Sequence, residues 1–490
     1  MSTNANFIDV FTTTPLQSGM LYYDIMHPKS TIYTQQYRFV IEGNIDFFHF
    51  IHAWNEAFQT FPAMRTSFHW EGLSKPLQVI HKQVPPPLVT HDLRTLSEEE
   101  RNQFIETFAE KDRQTGFLLD TPPLVRMAIF RLRENRLQMM LTLHHIITDG
   151  WSLGLLFSEF FRVYAAKRQS GTGPSQAAPS MKRYVEYLQT KDSSAARQWW
   201  QAFLHGAKPS PLPRSSGSEL PLGEGTTLRE DLVFSPEETR ELVHVTKEMG
   251  ITLNVLFQAG WAATLAAKTG RAEALFALCI ASRPPEVDHI ESVYGPLLSI
   301  VPMRAGFGEE SVRRWLCGLR DTLLSAMAHS HLPLTELRKL CQDEGDGTFL
   351  GSMTVFENFP VSPGPELPFD ITPLPGFERT SYPLTVLGYP EEAMRLAVIF
   401  DASLFGAEDV RALLAHMREA MLRMVRKPEE SVRRLFLPSK TVHQPGLSLL
   451  RGEVREFPPL IHGNALAIWR TGKESKPPLS SWVGLPKIRP

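Results

Sequence analysis

Two series of alternating strand-like and helix-like segments follow one another along this chain, and that order constrains its fold more than any other feature. In the first series Tyr37, Phe39 and Ile41 alternate with Arg38 and Val40, a period of two that predicts a strand. Phe47, Ile51, Trp54 and Phe58 fall at i, i+4, i+7 and i+11, the apolar stripe of a helix, with Asn44 as its candidate cap. Ser97-Glu98-Glu99-Glu100 reads as a capping box opening another helix. Strands are expected over Leu124–Arg131 and Leu137–His144, followed by a helix from about Ser152 to Lys167. Arg168–Ser180, rich in Ser, Gly, Pro and Gln, reads as a connection between lobes.

The second series starts at Asp192, which heads a helix carrying Trp199 and Trp200, and passes another Pro/Ser/Gly-rich connector at Lys208–Gly223. Ser235-Pro236-Glu237-Glu238 combines a capping box with proline at the first helical position. Leu253–Lys268 is apolar and Ala-rich, suiting a buried helix; Glu273–Ser282, Leu297–Arg304, Gly351–Glu357 and Met394–Ala402 read as strands, and Ala407–Arg426 as a helix. The expectation is an α/β protein in two halves, residues 1–180 and 181–440, with 441–490 an unassigned, proline-bearing tail.

Composition removes several classes. Lys and Arg total 51 against 53 Asp and Glu, so there is no basic excess to hold a nucleic-acid backbone. With 42% apolar and 21% charged residues the chain can bury a large core. Cys279, Cys317 and Cys341 are odd in number and lack C-x-x-C spacing, which argues against a disulfide framework or a cysteine zinc site and fits a reducing compartment. No run approaches the ~20 apolar residues of a membrane span. Met1–Pro15 has neither the basic flank nor the apolar stretch of a secretion signal, so a cytoplasmic protein is expected.

The densest group of chemically capable residues is Leu143-His144-His145-Ile146-Ile147-Thr148-Asp149-Gly150-Trp151. It closes a strand in which Leu137, Met139, Leu141 and Leu143 share one face and Gln138, Met140, Thr142 and His144 the other. If the strand continues, His144 and His145 point to opposite sides, and such a pair converges poorly on one metal ion. No metal site is expected. An isolated histidine at a strand end is usually a hydrogen-bonded core residue. Here two histidines, an aspartate, a glycine and an aromatic share a strand-to-helix junction, where α/β proteins commonly build sites. The N–H groups at the start of the following helix suit a developing oxyanion.

This element resembles the H-H-x-x-x-D-G signature of condensation domains of nonribosomal peptide synthetases, a branch of the chloramphenicol-acetyltransferase-like superfamily. Other elements follow in the family's order. Thr14-Pro15-Leu16-Gln17-Ser18-Gly19-Met20-Leu21 resembles its opening T-P-x-Q-x-G-M-L, and Met64-Arg65-Thr66-Ser67-Phe68 its L-R-T-x-F. Ser282-Arg283-Pro284 and the strand Tyr294–Arg304 are similar to second-lobe elements, as are His329–Leu334, Phe356-Glu357-Asn358 and Tyr382-Pro383-Leu384. The resemblance spans roughly residues 12–437. Ser299 departs from it, standing where the family strand usually has asparagine.

The resemblance implies two acyltransferase-like α/β lobes forming a V-shaped pseudo-dimer around a central tunnel, and a monomeric enzyme. It implies amide formation, in which an acceptor amine attacks a donor thioester. An α-amino group, with an unperturbed pKa of ~7.7–8.0, is partly neutral at pH 7, so alignment and charge stabilisation carry much of the work. His145 is expected to face the tunnel as base or positioner, with His144 in support and Gly150 offering close approach and its N–H. Asp149 is expected to hold the loop through an ion pair with Arg283 or Arg65. Trp151 (read mainly as packing), Ser299, Asn358 and Tyr382 are candidate tunnel residues.

No cofactor bound by the chain is implied. Its substrates would arrive on phosphopantetheine arms of donor and acceptor carriers, supplied in trans or by neighbouring synthetase modules. The residues contain no G-G-x-S carrier serine and no Gly-rich ATP motif. Alternatives are an epimerization domain, whose opening element differs; an acyltransferase using a CoA thioester or a soluble amine; and a non-catalytic recruitment domain, which usually loses the histidine pair. Heterocyclization is disfavoured because its D-x-x-x-x-D replacement is absent.

Overall fold

The computed structural model describes residues 6–28, 30–168, 177–210, 212, 226–341, 349–357 and 367–437. Sequence signals at segment ends account for where many of the helices begin. Thr14 and Gln17 form a capping box, with Pro15 at the first position of helix Pro15–Met26. The same device opens Glu98–Thr115 at Ser97 and Pro236–Glu248 at Ser235. One expected cap is corrected. Asp46, not Asn44, caps helix Phe47–Thr60, accepting from His49 N–H at 3.1 Å. A cap must sit directly before the first helical turn, and Asn44 lies two residues too early.

The strands assemble into three sheets. Five strands lie in the order Phe369–Phe377, Thr34–Gly43, Arg136–His144, Val125–Arg133, Leu88–Asp92. Six lie in the order Leu298–Gly306, Glu273–Ala281, Met353–Phe356, Leu384–Tyr389, Arg395–Asp401, Thr227–Val233. A smaller sheet joins Phe7–Thr12, Leu77–His81 and Thr66–His69. Strand Phe369–Phe377 crosses from the second half of the chain to pair antiparallel with Thr34–Gly43, Phe369 standing opposite Gly43. Gly43 has φ +143°, and a Cβ there would lie 2.6 Å from both Phe369 Cα and the Pro368 carbonyl oxygen. Only glycine permits that approach.

Each large sheet packs its own apolar cluster. Leu137, Met139, Leu141 and Leu143 join Phe50, Trp54, Phe160 and Tyr164 in the first core, as their period of two requires. Trp54 stacks on Phe160 with centroids 4.1 Å apart. On the opposite face, Met140 packs with Phe130 and Ile105. There Thr142 donates to Asp112 at 2.5 Å, and Asp112 also pairs with Arg126. The second core gathers Trp200, Phe257, Trp261 and Phe276, with helix Leu253–Thr269 buried between its strands and helix Ala407–Arg426. At ~1.5–3 kcal/mol for each large side chain fully buried, these two clusters supply the main driving force. Among the described residues no single helix is long and apolar enough to cross a membrane. The residues from 438 onward, and hence the expected tail, lie outside the described residues.

Candidate active site

Strand Arg136–His144 delivers His144 to the buried seam, and a single 3-10 turn at His145–Ile147 reverses the chain before helix Gly150–Arg168. The helix begins at Gly150, two residues earlier than its apolar pattern indicates. The two histidines have different environments. His144 is buried; its Nε2 lies 2.7 Å from Asp24 Oδ2, and its Nδ1 accepts the Ile146 N–H at 3.1 Å. Nδ1 as acceptor means that Nε2 carries the proton and donates to the carboxylate. His144 thus shapes the turn.

His145 is half-buried, and its backbone N–H donates to the Tyr33 carbonyl at 2.8 Å. Its ring Nδ1 lies 2.7 Å from the Thr148 carbonyl oxygen. A carbonyl only accepts, so Nδ1 carries a proton, and in the neutral ring Nε2 is the nitrogen that keeps the lone pair. An imidazole held in this tautomer offers an acceptor at Nε2.

The next residues clamp the junction to the second half of the chain. Asp149 is 2% exposed. Its Oδ1 accepts from Ser152 N–H at 2.8 Å and from Ser152 Oγ–H at 2.6 Å, capping the helix. Its Oδ2 accepts the Leu297 N–H at 3.1 Å and pairs with Arg283 at 3.3 Å. Arg283 also donates to the Ile290 and Val293 carbonyls at 2.8 and 2.9 Å, and its guanidinium lies over the Trp151 ring. Burial pulls the Arg283 guanidinium below its ordinary range, and the Asp149 charge opposes that.

Of the two arginines weighed as partner of Asp149, Arg283 is the one. Arg65 is not: it donates to the carbonyls of His81, Lys82 and Gln59, tying its own turn to a neighbouring strand. Two further cross-links complete the clamp. Thr148 Oγ1 lies 2.9 Å from the buried Tyr294 hydroxyl, and Trp151 Nε1–H donates to the Glu291 carbonyl at 2.9 Å. Trp151 therefore packs and also makes a polar contact.

Among the remaining candidates, Gly150 is not one of the glycines with positive φ; it is half-buried and opens the helix. Ser299 lies 3.1 Å from Ser282 Oγ and lines a cavity of about 430 Å³ between helix Pro15–Met26 and the second half. Thr13, Ser18, Lys75, Leu298 and Thr335 share that lining. Tyr382 is buried in the second core, its hydroxyl without a partner among the described residues. Asn358 lies outside the described residues. No group of three or more metal-capable side chains occurs among the described residues.

Sequence reasoning missed several contributors. Asp24, the partner of His144, gave no signal because 120 residues separate the two. Gln17 stood in the opening element without a stated role. It completes its own capping box and donates to the Ile146 carbonyl at 3.1 Å, fastening the first helix to the histidine turn. Gly295 is the third. At φ +152° a Cβ there would lie 2.1 Å from Met181 Sδ, while its N–H donates to Ser152 Oγ at 3.0 Å. Gly295→Ala should therefore loosen the clamp and lower Tm by several degrees, at a cost of ~1–3 kcal/mol. A melt unchanged within a degree would contradict this.

The condensation-domain family model matches residues 8–445. Linear gramicidin synthase subunits C and B of Brevibacillus parabrevis are 27% and 29% identical over 448 and 430 residues. These matches cover 90% and 86% of this chain but span only 6% and 8% of those synthases. Among solved structures, the first condensation domain of the calcium-dependent antibiotic synthetase superposes with TM-score 0.71 at 19% identity, covering 87% of this chain and 99% of that one. The X-domain from teicoplanin biosynthesis gives TM-score 0.72 at 17% identity, covering 87% and 97%. At these identities the structural likeness concerns the fold, whereas the family match runs through the histidine turn, its clamp and both sheets, and on it the chain belongs to the condensation-domain family of nonribosomal peptide synthetases.

Proposed function

We propose that this chain joins a carrier-bound donor acyl or peptidyl thioester to an acceptor amine, forming an amide. The observation that carries this reading is the His145 tautomer, with Nδ1–H held by the Thr148 carbonyl and the lone pair on Nε2. The amine nitrogen attacks the thioester carbonyl carbon, the C–S bond breaks, and one proton passes from nitrogen to the departing thiolate. His145 Nε2 accepts a hydrogen bond from the amine and carries that proton. With the Ser152 N–H taken by Asp149, the N–H groups of Gly150 and Trp151 are the ones suited to the oxyanion. The reacting groups are presented in a fixed geometry, which by itself lowers the barrier.

The cavity of about 430 Å³, apolar along Leu16, Leu298 and Leu332 and edged by Lys75, has room and lining for an extended phosphopantetheine arm, and none of residues 144–151 lines it. The retained histidine pair favours catalysis over recruitment. Two separately loaded carriers incubated with the chain should give the amide product. Epimerised thioester without amide, or amide from a CoA thioester but never from a carrier, would replace this reading with one of its rivals.

A mass measurement tests the carrier partnership. Treated with a phosphopantetheinyl transferase and CoA, the chain should keep its mass, and product should form only when loaded carrier is added. A gain of about 340 Da, one phosphopantetheine on this polypeptide, would contradict supply in trans.

A further inference from the structure

Glu357 follows strand Met353–Phe356, its N–H donating to the Gly388 carbonyl at 2.8 Å. By the strand's period of two it shares a face with Val355, which packs against the small cluster of Leu387, Ala397 and Ile399 and also touches the edge of the second core. The Glu357 charge reaches the phenol of Tyr37, in the first half of the chain. Its carboxyl Oε2 is sealed from water and accepts no hydrogen bond among the described residues.

Among the described residues no cation pairs with it directly. The cation whose charge reaches it, Arg229, is held by Asp231 at 2.8 and 2.9 Å and leans on the Tyr389 hydroxyl. Glu378, half-exposed and accepting from Gln35 Nε2 at 3.0 Å, and Asp149 add negative potential, with the Cys279 thiol also in range. Burial, then these charges, lift the empty Glu357 carboxyl to about 8. The residue is half-buried, but a carboxyl oxygen sealed from water without a partner is costly, and glutamine or leucine would occupy the position more cheaply. A ligand supplying the missing charge removes the cost.

We propose that Glu357, with Glu378 beside it, reads a positive charge on the substrate: a side-chain amine or guanidinium of the donor or of the acceptor. This rests on the amide-forming reading above. The seam's negative potential favours such a group and repels an acidic side chain, giving discrimination by both attraction and exclusion. The cation and the ionised Glu357 would form a charge-assisted hydrogen bond, with the carboxyl releasing its proton on binding.

The test uses the full chain and two loaded carriers in two arms. In one arm the donor is ornithinyl, norvalinyl or glutamyl with a glycyl acceptor; in the other the acceptor is varied with a fixed neutral donor. In one of the arms ornithine should exceed norvaline in kcat/KM by about 10- to 100-fold, the worth of one buried charge-assisted hydrogen bond. Glu357→Gln should collapse that ratio to about twofold, chiefly through KM, and should melt at or above the wild-type temperature. Glu357→Asp should restore part of it. Amide formed with equal preference by both proteins in both arms would overturn the role of Glu357 and leave the amide-forming reading intact. No amide from any pair would overturn both.

Discussion

Replacing His145 by alanine should lower amide formation from two loaded carriers by about 10²–10⁴-fold, the range for a positioned acid–base group. The Nδ1–H bond to the Thr148 carbonyl leaves the Nε2 lone pair as the group the proposed reaction uses. Little stability should be lost. His145 is half-buried, so water can satisfy the Thr148 carbonyl, and the turn itself is held by His144 through the Ile146 N–H and Asp24. Single-turnover rates and a thermal melt of the same preparation separate the two effects. Near-wild-type rates in the variant would remove His145 from the chemistry. A large drop in Tm alongside lost rate would make it part of the scaffold. By contrast His144→Ala should lower Tm and rate together, because it leaves the half-buried Asp24 carboxylate without its partner.

Asp149→Ala should be the most destabilising change at the junction. The carboxylate accepts from Ser152, Leu297 and Arg283, so its loss uncaps a helix, frees a cross-lobe backbone N–H and leaves a buried guanidinium without its counter-charge. Breaking one side of a buried ion pair costs ~3–5 kcal/mol. At about 2 °C per kcal/mol for a large domain, Tm should fall by roughly 6–10 °C. Asp149→Asn keeps the shape but has a single amide oxygen, so it accepts from Ser152 or from Leu297 but not both, and it should retain much of that loss while still stranding Arg283. The sign of the pH dependence at Arg283 follows from its lowered value. A guanidinium that binds its proton less tightly in the folded state carries its burial cost for as long as it is charged, and that cost is relieved only far above neutral pH, so between pH 6 and 8 the wild-type melt should not vary with its titration. A variant melting with the wild type while losing rate would make Asp149 chemical rather than structural.

Much of the local architecture was legible from short-range chemistry. The capping boxes at Ser97 and Ser235 and the alternation Leu137, Met139, Leu141, Leu143 depend on neighbours within four residues, and each appears where the pattern put it. The cap of helix Phe47–Thr60 moved by two residues, from Asn44 to Asp46, because two candidate caps lay close together and only the helix start chooses between them. The histidine turn was recognisable as a unit because its residues are contiguous and their residue types are demanding.

What contiguity cannot encode, the tertiary structure decided. The sequence by itself determined two α/β series, a strand ending in His144 with a second histidine directly after it, and an aspartate that needed an arginine. It could not choose between Arg65 and Arg283, because each lies in a plausible motif and only packing brings one guanidinium to 3.3 Å of Asp149. It could not pair His144 with Asp24 or Gln17 with the Ile146 carbonyl, contacts that span 120 and 129 residues. Nor could it send strand Phe369–Phe377 into the first half's sheet, since a strand's own pattern shows which face is buried but not which edge it joins. The uncompensated carboxyl of Glu357 belongs to the same class. A glutamate at a strand end reads as solvated until packing seals its Oε2 from water with no hydrogen-bond partner among the described residues.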